Sequence, residues 1–138
     1  HLYFWQVGLI IHPERPWLCC SPDGIIASNN AIQITEIKCP FSLRDYVRLD
    51  YENEVSHIAY VHYVNGKLAV RKAHQYYTQV MIMLYILGIK ECLLFVCSSK
   101  RSVSVVVERD DAFLAEFIPK LESFYFSHLL KRLARQGP

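Results

Sequence analysis

With 138 residues and 52% apolar side chains, the chain is long enough for one domain with its own core and too apolar for disorder. Fifteen Lys and Arg against thirteen Asp and Glu leave a formal charge of +2. That balance tolerates a polyanionic partner but excludes a binder that grips nucleic acid by charge alone. No apolar run is long enough to span a bilayer, so no membrane partner is expected.

From Leu2 to Cys20 the chain alternates short apolar segments with an HPERP turn, where Pro13 and Pro16 exclude a helix. Trp17 and Leu18 are expected to anchor the strand that delivers Asp23. Gly24 to Ala27 is a short β-prone run, Ser28-Asn29-Asn30 is turn chemistry, and Ala31 to Lys38 alternates as a strand before the Cys39-Pro40 stop. Ser42, with Asp45 three residues on, predicts a helix start carrying Leu43, Tyr46, Val47 and Leu49 at helical spacing.

Asp50 to Arg71 reads as an insertion bearing a hairpin turned at Asn65-Gly66, with Tyr60, His62 and Tyr63 as a candidate DNA-contacting edge or ordinary packing residues. A central helix is predicted over Lys72 to Leu87, apolar nearly all round and stopped by Gly88. Two strands follow, Glu91 to Cys97 and Ser102 to Arg109. Asp110 and Asp111 then cap a long helix, expected to kink at Pro119, whose stripe of Leu114, Phe117, Ile118, Leu121, Phe124, Tyr125 and Leu129 serves as core support. The elements sum to one α/β domain over residues 1–138, a mixed central sheet of about five strands flanked by helices.

The chemistry concentrates between Ser21 and Ser42. Glu36 and Lys38 are two apart on a strand and share a face, and closing the hairpin brings Asp23 back towards Glu36. Two carboxylates without a compensating Arg favour a hard divalent cation, Mg²⁺ or Mn²⁺, that keeps part of its water shell. Such an ion activates water for attack at phosphorus, with Lys38 holding the water or a phosphate oxygen. The competing reading is a solvated charge pair; the flanking Ile34, Ile37, Cys39 and Phe41 argue against an idle charge there. Gln79 lies in apolar company on the central helix, either facing this site or satisfying buried backbone.

The strings GLIIHPERPWLCCSPDGII, EIKCPFSLRD and HQYYTQV, in that order, resemble the PD-(D/E)XK nucleases, and within them the YqaJ-like viral recombinases related to the lambda-type exonucleases. The resemblance implies a restriction-endonuclease-like core and a Mg²⁺-dependent deoxyribonuclease acting on double-stranded DNA ends. It assigns Asp23 and Glu36 to the metal, the Ile37 carbonyl beside them, and Lys38 to catalysis. Gln79 matches the first glutamine of a Gln-x-Gln pair whose second position here is Met81. Ser21, Arg44, Tyr77 and Gln79 are candidate substrate contacts; Arg44 reaches a DNA phosphate or forms an ion pair within the domain.

The resemblance also implies an acidic residue on an upstream helix. The chain opens at His1 without Met, so it is expected to be a fragment lacking an N-terminal helical part. Homo-oligomers occur in the resembling family. Endonuclease action by the same site, and a non-catalytic DNA-binding remnant, are the alternative functions. Five cysteines without disulfide spacing read as small hydrophobes in a reducing compartment, hence an intracellular protein, nuclear or cytoplasmic. A zinc site from Cys19, Cys20, Cys39 and His12 would be a poor chelate.

Overall fold

The computed structural model describes residues 1–41 and 47–136. Five strands form the main sheet: β1 (Leu2–Trp5), β4 (Gly24–Ser28), β5 (Ile32–Lys38), β10 (Glu91–Cys97) and β11 (Ser102–Glu108), in that spatial order. The β5–β10 pair is parallel and the others antiparallel, so the sheet is mixed, as the sequence pattern predicts. Two-residue ladders join β2 (Ile10–Ile11) to β3 (Cys19–Cys20) and β6 (Leu49–Asp50) to β7 (Val55–Ser56). The expected hairpin is β8 (Val61–Val64) with β9 (Lys67–Val70). Its turn places Asn65 at φ 49° and Gly66 at φ 75°, the left-handed pair that a two-residue loop requires.

One sheet face is dry. Ile34 of β5, Cys92, Leu94 and Val96 of β10, and Val105 and Val107 of β11 alternate onto it and are buried. The helix α1 (Gln75–Leu87) packs there through Val80, Met83 and Leu84, which are buried with them in one core. The other face carries Leu2, Phe4, Ile37 and Val106, all half or more exposed or close to it. On that face the Phe4 ring lies across Gly24, where an added Cβ would come within 2.4 Å of it, and beside Thr35.

Three expectations shift. The central helix starts at Gln75 rather than Lys72, because His74 stands at the cap with extended backbone and its side chain accepts the Tyr76 N–H. The C-terminal helix is not one rod of core support. It divides into α2 (Asp111–Phe124), capped by Asp110, a π-helical turn over Tyr125–Leu129, and α3 (Leu130–Arg135). Leu114 and Ile118 are buried and Leu121 packs against the core, but Phe124 and Leu129 are exposed, so the stripe leaves the core towards the end of α2. Third, Leu2–Trp5 is an edge strand of the main sheet, paired with β4 residues 20 to 26 positions further along the chain. The helix expected from Ser42 falls outside the described residues up to position 46 and is not borne out beyond it: Val47 is buried in non-helical backbone and Leu49 opens strand β6.

Candidate active site

The β4–β5 register sets the site. Gly24 pairs with Thr35, and continuing that antiparallel ladder by one step puts Asp23 opposite Glu36. The Asp23 carboxylate is held in place by the strand it faces, because Ile37 N–H donates to Asp23 Oδ2 at 2.7 Å. Asp23 is exposed, whereas Glu36 retains 5% of its accessible surface.

A charge that buried needs partners, and Glu36 has two. Lys38 Nζ donates to Glu36 Oε1 at 2.6 Å, and Gln79 Nε2 donates to the same oxygen at 2.9 Å. Gln79 Oε1 accepts from Lys38 Nζ at 3.1 Å, so the amide closes a three-membered ring of hydrogen bonds. This decides the local question about Gln79: its side chain joins the strand carboxylate and the lysine, not buried backbone. The pair is partly desolvated, with side-chain exposures of 16% for Lys38 and 7% for Glu36, where attraction between opposite charges is stronger than in water.

Beneath the lysine lies Tyr76, its ring centroid 4.2 Å from Lys38 Nζ. Tyr76 is itself wedged edge-on between Tyr60 and His74, with centroids 4.8 Å away in both cases. Reading the sequence missed Tyr76. The available signal was helical spacing: Tyr76 and Gln79 are three apart and share a helix face, while Tyr77 does not.

Tyr77 accordingly is not in the cluster. It is buried and its hydroxyl bonds Asp110 Oδ2 at 3.0 Å, with its ring edge-on to Phe113. Met81, one helical turn further, faces the same way, fully buried, and its Sδ accepts the Asp110 N–H at 3.2 Å. The position that holds glutamine in the resembling family here packs the helix against the α2 cap.

Asp110 also takes Lys72 at 2.7 Å, and that bond, followed by the Phe113 N–H and the Tyr77 hydroxyl, lowers its pKa to about 2. Lys72 is thus committed to an ion pair. Arg71 donates to the Ala59 carbonyl at 3.0 Å.

Tyr60 is buried behind Tyr76 rather than open to bases, and burial followed by the neighbouring Tyr76 pushes its hydroxyl up to about 12. His12 accepts from the backbone of Glu14 and Arg15 and stacks on Tyr85, away from Asp23's hydrogen bonds. Cys92 lies under Glu36; burial and then that carboxylate raise its thiol to about 12, which makes it inert. Ser21 is exposed two residues before Asp23, and Arg44 lies outside the described residues. Among the described residues no three His, Cys, Asp or Glu side chains cluster, which excludes the cysteine and His12 zinc set there. No helix among them is long and apolar enough to cross a membrane.

Comparison with known proteins adds two findings. The family model for the YqaJ-like viral recombinase domain matches residues 5–90, which contain the whole hydrogen-bonded cluster. Among solved structures, the alkaline exonuclease LHK-Exo from Laribacter hongkongensis superposes with a TM-score of 0.65 at 22% identity, covering 98% of this chain. The same protein in complex with dAMP matches equally. The chain spans 64% of the length of those exonuclease chains. No curated protein gives a significant match.

Proposed function

Because the chain belongs to the YqaJ-like viral recombinase domain family, we propose that its site hydrolyses phosphodiester bonds of DNA, as a metal-dependent exonuclease working from duplex ends. The observation that carries the reading is the convergence of Asp23, Glu36, Lys38 and Gln79 at one end of β4 and β5. The fold shared with an alkaline exonuclease supports it.

The donors suit a hard divalent cation. All are oxygens, and both side-chain bonds to Glu36 fall on Oε1, which leaves its second oxygen for an ion. Asp23, Glu36 and the Ile37 carbonyl would hold Mg²⁺, or Mn²⁺ in its place. When bound, the ion supplies charge neutralisation at the phosphate and a more acidic water.

The chain's own residues do the rest. Lys38 has three ammonium donors; with Glu36 and Gln79 taking two, one is left for a phosphate oxygen or the attacking water. Gln79 and the Tyr76 ring fix where that donor points, so little reorganisation is needed as charge develops. Buried Glu36 stays paired throughout, which keeps the site assembled between turnovers.

The test is a pair of substitutions assayed for both cleavage and binding of linear duplex. Lys38→Ala is expected to abolish cleavage while duplex binding persists, and Asp23→Asn likewise. Unchanged cleavage by Lys38→Ala would contradict the mechanism. Duplex binding without cleavage in the unsubstituted chain would instead favour a DNA-binding remnant.

A further inference from the structure

We infer that Cys39 and Cys97 form a redox-modification site, a thiol pair that closes to an intramolecular disulfide and thereby slackens the neighbouring catalytic lysine. The starting point is strand register. Lys38 pairs with Val96 on the parallel β5–β10 ladder, so the next residues, Cys39 and Cys97, come side by side where the two strands end. Both side chains alternate onto the open sheet face and line one shallow pocket with Pro40, Phe41, Ser98 and Ser99. Burial, and after it the adjacent Cys39 thiol, push the Cys97 thiol up from its ordinary pKa. Cys39 is exposed and Cys97 half-buried, so a small oxidant reaches them; Cys92, five residues back along β10 on the opposite, buried face, is out of reach.

Neighbouring strands lie about 4.8 Å apart, inside the span of roughly 4.4–6.8 Å between Cα atoms that a disulfide bridges. The bond nevertheless asks for Cβ atoms about 3.8 Å apart, so the end of β5 must move towards β10 by about 1 Å. Lys38 is the residue immediately before. A misplacement of about 1 Å in a positioned group costs up to roughly 10²-fold in rate.

The chemistry balances with a disulfide oxidant such as oxidised glutathione. One protein thiolate attacks a glutathione sulfur and releases the first reduced glutathione. The second protein thiolate then attacks the mixed disulfide and releases another. The two protein thiols lose two electrons to the glutathione disulfide, and their protons go to the two glutathione thiolates.

The consequence for rate rests on the nuclease reading; the disulfide itself does not, and the experiment keeps them apart. The protein is equilibrated with reduced and oxidised glutathione at graded ratios. Each sample is divided between peptide mapping by mass spectrometry without reductant and a cleavage assay on linear duplex. The expected result is a linked Cys39 and Cys97 peptide pair, with cleavage falling at least about tenfold and recovering on dithiothreitol. Cys97→Ser is expected to prevent both changes and to leave basal cleavage as it was.

Glutathione retained on Cys39 alone, or linkage through Cys19 and Cys20 in place of this pair, would overturn the proposal. So would a linked protein that cleaves at the unlinked rate. If the reduced protein cleaves nothing, the nuclease reading fails, and the mass map still decides the disulfide.

Discussion

Replacing Gln79 by Leu separates a positioning role from a structural one. The amide makes two hydrogen bonds, to Glu36 at 2.9 Å and from Lys38 at 3.1 Å. Bonds to charged groups are worth about 1.5–3 kcal/mol each, but the lysine bond is solvent-exposed, so the realised loss is nearer about 2–3 kcal/mol for the pair together. If that loss falls wholly on the transition state, it corresponds to roughly 10²-fold in kcat.

Stability responds differently. Lys38 still pairs Glu36 at 2.6 Å, so no carboxylate is stranded, and Leu adds apolar contact. The expected melting shift is small, within about 4 °C in either direction, equivalent to roughly 1 kcal/mol for a domain of this size. The assays are steady-state cleavage of linear duplex and a thermal melt by circular dichroism. A kcat near that of the parent, accompanied by a melting temperature lowered well beyond that margin, would show that Gln79 merely satisfies the fold, and the reasoning would be wrong.

Tyr76→Leu removes the ring under Lys38 and is expected to cost on the order of tenfold in kcat, from about 1–2 kcal/mol of cation–π attraction, while Tyr76→Phe keeps most activity. Equal loss in both would point to the hydroxyl instead. Met81→Gln restores the family's residue type at a fully buried position whose sulfur accepts the Asp110 N–H. It is expected to destabilise by about 1–3 kcal/mol in denaturant titration, because the amide's donors lack partners, and to leave the rate constant for cleavage unimproved.

Asp110→Asn tests the helix cap through pH. Asp110 titrates at about 2 in the folded state against 3.8 ordinarily, so its contribution is fully present above pH 3.8 and is lost as pH falls through about 2. Melting curves of parent and variant should therefore keep a constant gap above that range and converge below it. A gap that persists to the acid end would contradict the assignment.

Where the pattern was local, the sequence disclosed it. The β4–β5 hairpin followed from apolar alternation around Ser28-Asn29-Asn30, and it alone places Asp23 against Glu36. Asn65-Gly66 likewise announced its turn through two positive φ angles. The start of α1 was not legible, since Lys72 and Ala73 are good helix formers and only the tertiary setting of His74 shows it capping.

Tyr76 and Tyr77 are chemically indistinguishable in the string. What separates them is the azimuth of α1, set by Met81 and Tyr77 turning towards Asp110, a residue some thirty positions away in sequence. The pairing of β1 with β4 and the abandonment of the core by Phe124 and Leu129 are long-range outcomes of the same kind. Arg44, a candidate phosphate contact, falls outside the described residues.

The central claim, that Asp23, Glu36 and Lys38 hydrolyse DNA from its ends with the help of a divalent ion, is tested most directly by one cleavage experiment. A 5′-phosphorylated linear duplex and a closed circle of the same sequence are incubated with the protein in Mg²⁺, in EDTA, and in Mg²⁺ with Glu36→Gln. The account requires nucleotide release from the linear duplex in Mg²⁺ alone, with the circle intact and both controls silent. Cleavage of the circle would make the enzyme an endonuclease, and release that survives EDTA or Glu36→Gln would contradict the site itself.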